Sequence, residues 1–117
     1  MLKIVVLMKK KAGMSRADFI DHYENVHSVL GRKYLGHLFL NYVRNYPQGP
    51  MLPGGAGESS TPYDCITEIW LRDEAALNEM RAIIARPDVS AVLKADEQLF
   101  QDKAESHFLI VEEHRDG

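Results

Sequence analysis

Apolar residues in this chain recur at two periods that alternate along its length. Leu2 to Met8 is apolar except for Lys3 and rich in β-branched residues, the signature of a short strand buried on both faces. From Ser15 the period changes. Phe19, Ile20, Tyr23 and Val26 fall on one helical stripe, with His27 on the same line, and Ser15 with Asp18 marks the helix start by capping and dipole complementarity. Gly31 and Gly36 weaken the second half while Leu30, Tyr34 and Leu38 keep i+4 spacing, which predicts one long helix broken near Val26 and His27.

His37 to Tyr46 alternates with period two, setting Leu38, Leu40, Tyr42, Arg44 and Tyr46 against Phe39, Asn41, Val43 and Asn45 as a second strand. Pro47 to Pro62, crowded with glycine and proline, is a long loop, either a lid or a disordered insertion. Asp64 to Leu71 is a third strand with Asp64, Ile66, Glu68 and Trp70 on one face and Cys65, Thr67, Ile69 and Leu71 on the other. Asp73 caps a helix with Ala76, Leu77, Met80, Ile83 and Ile84 as its stripe, ended by Arg86-Pro87. A further helix over Asp88 to Gln101 buries Val89, Val92, Leu93 and Phe100 with Asp96 on the same line, and His107 to Glu113 is a fourth strand.

The order strand, helix, strand, strand, helix, strand predicts a ferredoxin-like α+β fold, βαββαβ, in a single domain over residues 1–117. Helices then cover one face of an antiparallel sheet whose other face is also apolar. Such a face must be covered, so the pattern predicts a homodimer packed sheet against sheet.

Composition narrows the function classes. A formal charge of -3, with Lys and Arg scattered except for Lys9-Lys10-Lys11, argues against nucleic acid. No apolar run is long enough to cross a bilayer, the N-terminus is too soon interrupted for a secretion signal, and Cys65 is the only cysteine. Those features exclude an intrachain disulfide and a thiolate zinc site and point to the cytoplasm.

The candidate chemistry centres on His27, an imidazole aimed at apolar surroundings. It is either a neutral core histidine satisfied by a carbonyl or a general acid/base at the floor of a pocket. Asp96, a carboxylate on an apolar stripe, needs a partner or a backbone donor, and His27 is the partner the pattern offers. A hollow between sheet and helices, near the helix bend and under the long loop, would be walled by Tyr23, Tyr34, Tyr42, Trp70 and Phe100, residues that otherwise read as plain core. Asn41, Tyr42, Glu68 and Cys65 are polar groups from other elements that could converge there, with Cys65 either a nucleophile or, more ordinarily, packing. His22 and His27 stand five residues apart, which on an α-helix turns them to different faces, so no metal site is expected. No dinucleotide fingerprint occurs, and the chemistry reads as cofactor-free.

A family resemblance accompanies these readings. Lys10-Lys11-Ala-Gly-Met-Ser, then Phe19, His22-Tyr23 and Val26-His27, resembles the opening of the EthD family, and Tyr63 to Trp70 and Asp96 to Asp102 extend the likeness over nearly the whole chain. The resemblance implies a dimeric α+β barrel and, from the family's name, an association with an ether-degrading oxygenase system. A more distant similarity to methylmuconolactone isomerases sets their pocket histidine at His27 and their tyrosine at Tyr42. It departs from them at Ile69, where they carry cysteine, and in the 47–62 loop, which has no histidine.

The sequence therefore supports a small-molecule lyase or isomerase acting on an oxo or aromatic-like metabolite, with His27 as acid/base and Asp96 or Tyr42 assisting. Two alternatives stand beside it: an accessory protein with an oxygenase partner, and a dimeric binder of a small ligand without turnover.

Overall fold

The computed structural model describes residues 1–52 and 61–117, so the middle of the long loop, with any lid role for it, lies outside the described residues. Four strands, β1 (Leu2–Met8), β2 (Phe39–Asn45), β3 (Cys65–Leu71) and β4 (His107–Val111), form one antiparallel sheet in the order β2-β3-β1-β4. That order with two helical crossovers is the ferredoxin-like α+β fold. The continuous apolar run of β1 is explained by its place. It lies between two neighbours, with Ile4 opposite both Ile69 and Ile110.

Ile4, Val6 and Met8 of β1 join Cys65, Ile69 and Leu71 of β3 on the face that meets the helices, where Phe19, Tyr23, Leu77 and Phe100 complete the core. The crossover from β1 to β2 is α1 (Arg16–His22), a π-helical segment over Tyr23–His27, and α2 (Ser28–Leu35). Ser15 caps α1 by accepting from the Asp18 N–H at 3.1 Å. The crossover from β3 to β4 is α3 (Glu74–Ala85), capped by Asp73, and α4 (Pro87–Phe100), which begins on the proline that ends α3. None of the described helices is long and apolar enough to cross a membrane.

Three expectations from the pattern are corrected. The helix does not simply kink near His27: it widens into a π turn, because the Ser28 N–H reaches back to the Tyr23 carbonyl while the Ser28 hydroxyl donates to the Glu24 carbonyl at 2.7 Å. In β2, Phe39 faces Leu71 and Asn41 faces Trp70, so Leu40 is an extra residue and the strand bulges. The bulge puts Phe39 on the same face as Tyr42, ring centroids 5.2 Å apart, where strict alternation separates them. Finally, Val26 and Val92, expected inside, are 40% and 39% exposed.

Candidate functional site

The π turn decides the geometry of the site. Residues five apart lie on different faces of an α-helix but come close to alignment where hydrogen bonds run from i to i+5. The expectation that His22 and His27 diverge is therefore wrong. Both rings turn to α4, where Asp96 receives them: His22 Nε2 lies 2.8 Å from Oδ1 and His27 Nδ1 2.8 Å from Oδ2. A carboxylate accepts, so both rings donate, and Nε2 is the nitrogen of His27 left free.

Asp96 is 6% exposed, and one imidazole on each oxygen answers the cost of burying it. Phe100, one turn further along α4, packs against both rings with centroids 4.8 Å away, and Tyr23 meets His27 edge-on at 5.6 Å. The imidazoles are clamped from several sides.

The His27 ring borders a cavity of about 130 Å³ between the helices and the sheet. Its apolar wall includes Ile4, Val6, Met8, Leu35, Phe39, Ile69 and Met80; its polar groups are His27, Tyr23, Tyr42, Thr67 and Glu97. Phe108 of β4, 54% exposed, stands at its rim. Three hydroxyls run in series along its floor. The Tyr42 hydroxyl donates to the Tyr23 oxygen at 3.3 Å, and Tyr23 and Thr67 share a bond of 2.7 Å. Burial pushes both phenols above their ordinary range, Tyr23 well above it, so both stay protonated donors at neutral pH.

Cys65 is buried beside Thr67, its sulfur 3.4 Å from the hydroxyl, and burial pushes the thiol up to about 11. At pH 8 only about one molecule in a thousand carries the thiolate. A thiol-specific disulfide reagent should therefore label Cys65 at least about 100-fold more slowly in the folded protein than in denaturant. Rapid labelling of the folded chain would restore the nucleophile reading.

Other residues expected at the site lie elsewhere. Glu68 and Trp70 point from β3 to the face away from the helices, where Lys3 pairs with Glu68 at 2.6 Å and Trp70 Nε1 donates to Glu113 at 3.2 Å. The Glu113 carboxyl is held down at about 2 by Lys3 and then Trp70. Asn41 is exposed and accepts from the Tyr42 backbone N–H, Tyr34 lies under Lys33, and Phe100 backs the histidines without lining the cavity. None of the described residues of the long loop, 47–52 and 61–62, borders the cavity. Lys9, Lys10, Arg16, Asp64 and Asp102, at the roots of that loop, line a separate polar groove of about 440 Å³. It is larger, but neither histidine nor Asp96 reaches it.

Thr67 and His22 went unread as site residues. The period-two pattern already sets Thr67 on the helix side of β3, whereas nothing in an α-helical reading aligns His22 with His27. Beneath the cavity, Glu24 takes both arms of Arg44 at 2.6 and 2.9 Å and the Tyr46 hydroxyl as well, which lowers its carboxyl and raises Arg44. Among the described residues no three His, Cys, Asp or Glu side chains form a group that could hold a metal.

Comparison with known proteins places the chain in a fold and a family. A protein of the ethyl tert-butyl ether D family from Bacillus halodurans C-125 is 19% identical and superposes with a TM-score of 0.64, over 97% of this chain and 100% of its own. A dimeric ferredoxin-like protein of unknown function from Thermobifida fusca YX is 17% identical, TM-score 0.59, over 94% and 88%. A DABB family protein with a ferredoxin-like fold from Mesorhizobium loti MAFF303099 is 14% identical, TM-score 0.56, over 97% of each chain. At such identities these likenesses establish the fold. No curated protein is significantly similar to the chain. The sequence profile of the EthD domain matches residues 11–104, most of the chain, and the chain therefore belongs to the EthD family.

Proposed function

We propose that this chain is a cofactor-independent acid/base enzyme of the lyase or isomerase kind, acting on a small oxo compound in the cavity beside His27. One observation carries the reading: the ring that borders the apolar cavity is the ring whose Nδ1 is tied to a buried carboxylate. Asp96 fixes the tautomer, and Nε2 is left as the base.

Nε2 takes a proton from a carbon next to the substrate carbonyl, and the C–H pair becomes the C=C bond of an enolate. Tyr42, a neutral donor, hydrogen-bonds the new oxyanion, and Asp96 stabilises the imidazolium. Returning the proton to a carbon further along the chain completes an isomerisation. Where the carbon next to the deprotonated one carries a leaving group, its departure with the enolate electron pair forming the new C=C instead completes an elimination.

The test is the conversion of cyclohex-3-enone to cyclohex-2-enone, followed by ultraviolet absorbance and, in D₂O, by deuterium uptake. Turnover above an equal concentration of free imidazole is expected. If the ketone enters the cavity and is left unchanged, the acid/base reading fails, and a ligand carrier or an oxygenase accessory protein takes its place.

The same reading includes a homodimer formed through the bare sheet face, in a compartment where the lone buried thiol of Cys65 stays reduced, the cytoplasm. Val5, Leu7, Ile66 and Val111 face away from the helices with Leu109, which is 42% exposed, and the Thermobifida relative is described as dimeric. Light scattering after gel filtration at micromolar concentration should give twice the chain mass, and Leu109→Asp should give the monomer. A wild-type monomer would remove this part of the proposal.

A further inference from the structure

We propose that the cavity selects an uncharged ketone or aldehyde carrying a single ring, held by its carbonyl oxygen on the Tyr42 hydroxyl, and turns away carboxylates of the same shape. The inference rests on the reading above only in taking this cavity as the binding site.

Size comes first. An apolar void of about 150 Å³ is known to take one benzene. At about 130 Å³, slightly smaller but open at the Phe108 rim, this cavity holds at most one ring with a short substituent, and a fused second ring exceeds it. Buried Met8 and the half-buried Phe39 and Met80 bound it, so the limit is set by packed side chains.

Charge comes second. Among the described residues that border the cavity none is Lys or Arg. Its ionisable groups are His27, Tyr23, Tyr42 and Glu97, and Glu97 is paired outward with Lys103. Arg44 lies 4.5 Å from the Tyr42 ring, yet both arms of its guanidinium close on Glu24. Asp96 balances any charge on His27 from behind. A ligand carboxylate would give up its hydration here for two acidic neighbours and no free cation, a loss that an apolar wall does not repay.

The anchoring group follows from the hydroxyl series. The Tyr23 and Thr67 oxygens are 2.7 Å apart, a full-strength bond, whereas Tyr42 reaches Tyr23 at 3.3 Å, beyond the ordinary O–H···O range. Tyr42 holds the slack bond. A carbonyl oxygen in the cavity can take that hydrogen bond at little cost, and because burial keeps the phenol protonated, Tyr42 has a proton to offer it.

The experiment reads binding alone. Protein labelled with ¹³C at the methionine methyls is titrated with acetophenone, benzoate, ethylbenzene and 2-acetylnaphthalene at pH 8, following Met8 and Met80. Acetophenone should bind at least about tenfold tighter than its isostere benzoate, and 2-acetylnaphthalene at least about tenfold more weakly than acetophenone. Tyr42→Phe, which keeps the ring against Phe39, should weaken acetophenone by about three- to tenfold and leave ethylbenzene within about twofold.

Benzoate or the naphthyl ketone binding as tightly as acetophenone would overturn the inference, as would a Tyr42→Phe effect equal for ketone and hydrocarbon, or no shift with any probe. Should Tyr42→Phe fail to fold, the wild-type ranking still decides. Acetophenone bound in the expected order by a protein that leaves cyclohex-3-enone unchanged would refute the acid/base chemistry and keep this inference. Turnover with benzoate binding as tightly as acetophenone would do the reverse.

Discussion

His27→Gln should lower the rate of cyclohex-3-enone isomerisation by about 100- to 10,000-fold while leaving the affinity for the ketone within about threefold. Glutamine is close to imidazole in volume and retains polar atoms, but it has no group that accepts and returns a proton at neutral pH. Asp96→Asn should cost nearly as much for a different reason. A carboxylate only accepts, so it holds the proton of His27 on Nδ1. An amide can donate its N–H to that nitrogen instead, which moves the ring proton to Nε2 and blocks the base. Stopped assays on both variants, with binding read from the methionine methyls, separate loss of chemistry from loss of ligand. A His27→Gln protein that isomerises within about threefold of wild type would remove His27 from the mechanism.

Phe100→Ala should destabilise the fold by about 3–5 kcal/mol, the largest effect expected of any single truncation here. The ring is fully buried and lies 5.7 Å from Phe19 and 5.6 Å from Tyr23, besides backing both histidines. Its removal opens a void where α1, the π turn and α4 meet. Urea unfolding measures the loss directly; Phe100→Leu, which refills most of the volume, should recover more than half. A loss under about 1 kcal/mol would mean that the site collapses readily around the missing ring and that Phe100 does not hold the imidazoles in place.

The fold was legible because each element declares itself locally. Ser15 and Asp73 cap their helices, Pro87 divides the second crossover, and two-residue alternation identifies β3. The site was legible only in part. His27, Asp96, Tyr23 and Tyr42 share a face with the core on any regular reading, and they do meet. Glu68 and Trp70 were placed in the pocket against the alternation that already assigned them to the opposite face of β3 from Cys65 and Thr67. Period two allows no compromise there.

What escaped the sequence are the two places where backbone period breaks. An extra residue at Leu40 moves Phe39 to the inner face, and a hydrogen bond to the fifth residue back realigns His22. Periodicity is the signal a sequence reading uses, so it fails where a strand or helix changes its count. At ordinary α-helical pitch His22 and His27 are separated by about 140°. Nothing in the identity of either residue announces the wider turn, although Ser28, whose hydroxyl takes over the Glu24 carbonyl, is the side chain that makes it tolerable.

The wide turn also makes that crossover longer by one amino acid than a regular coil spanning the same distance. Excising a single position between Tyr23 and His27 would set the two histidines four residues apart, so a coil tightened to regular pitch would still carry both on one face toward Asp96. The widened turn and the surplus residue therefore offset one another, and only a regular pitch with that residue retained would part the rings.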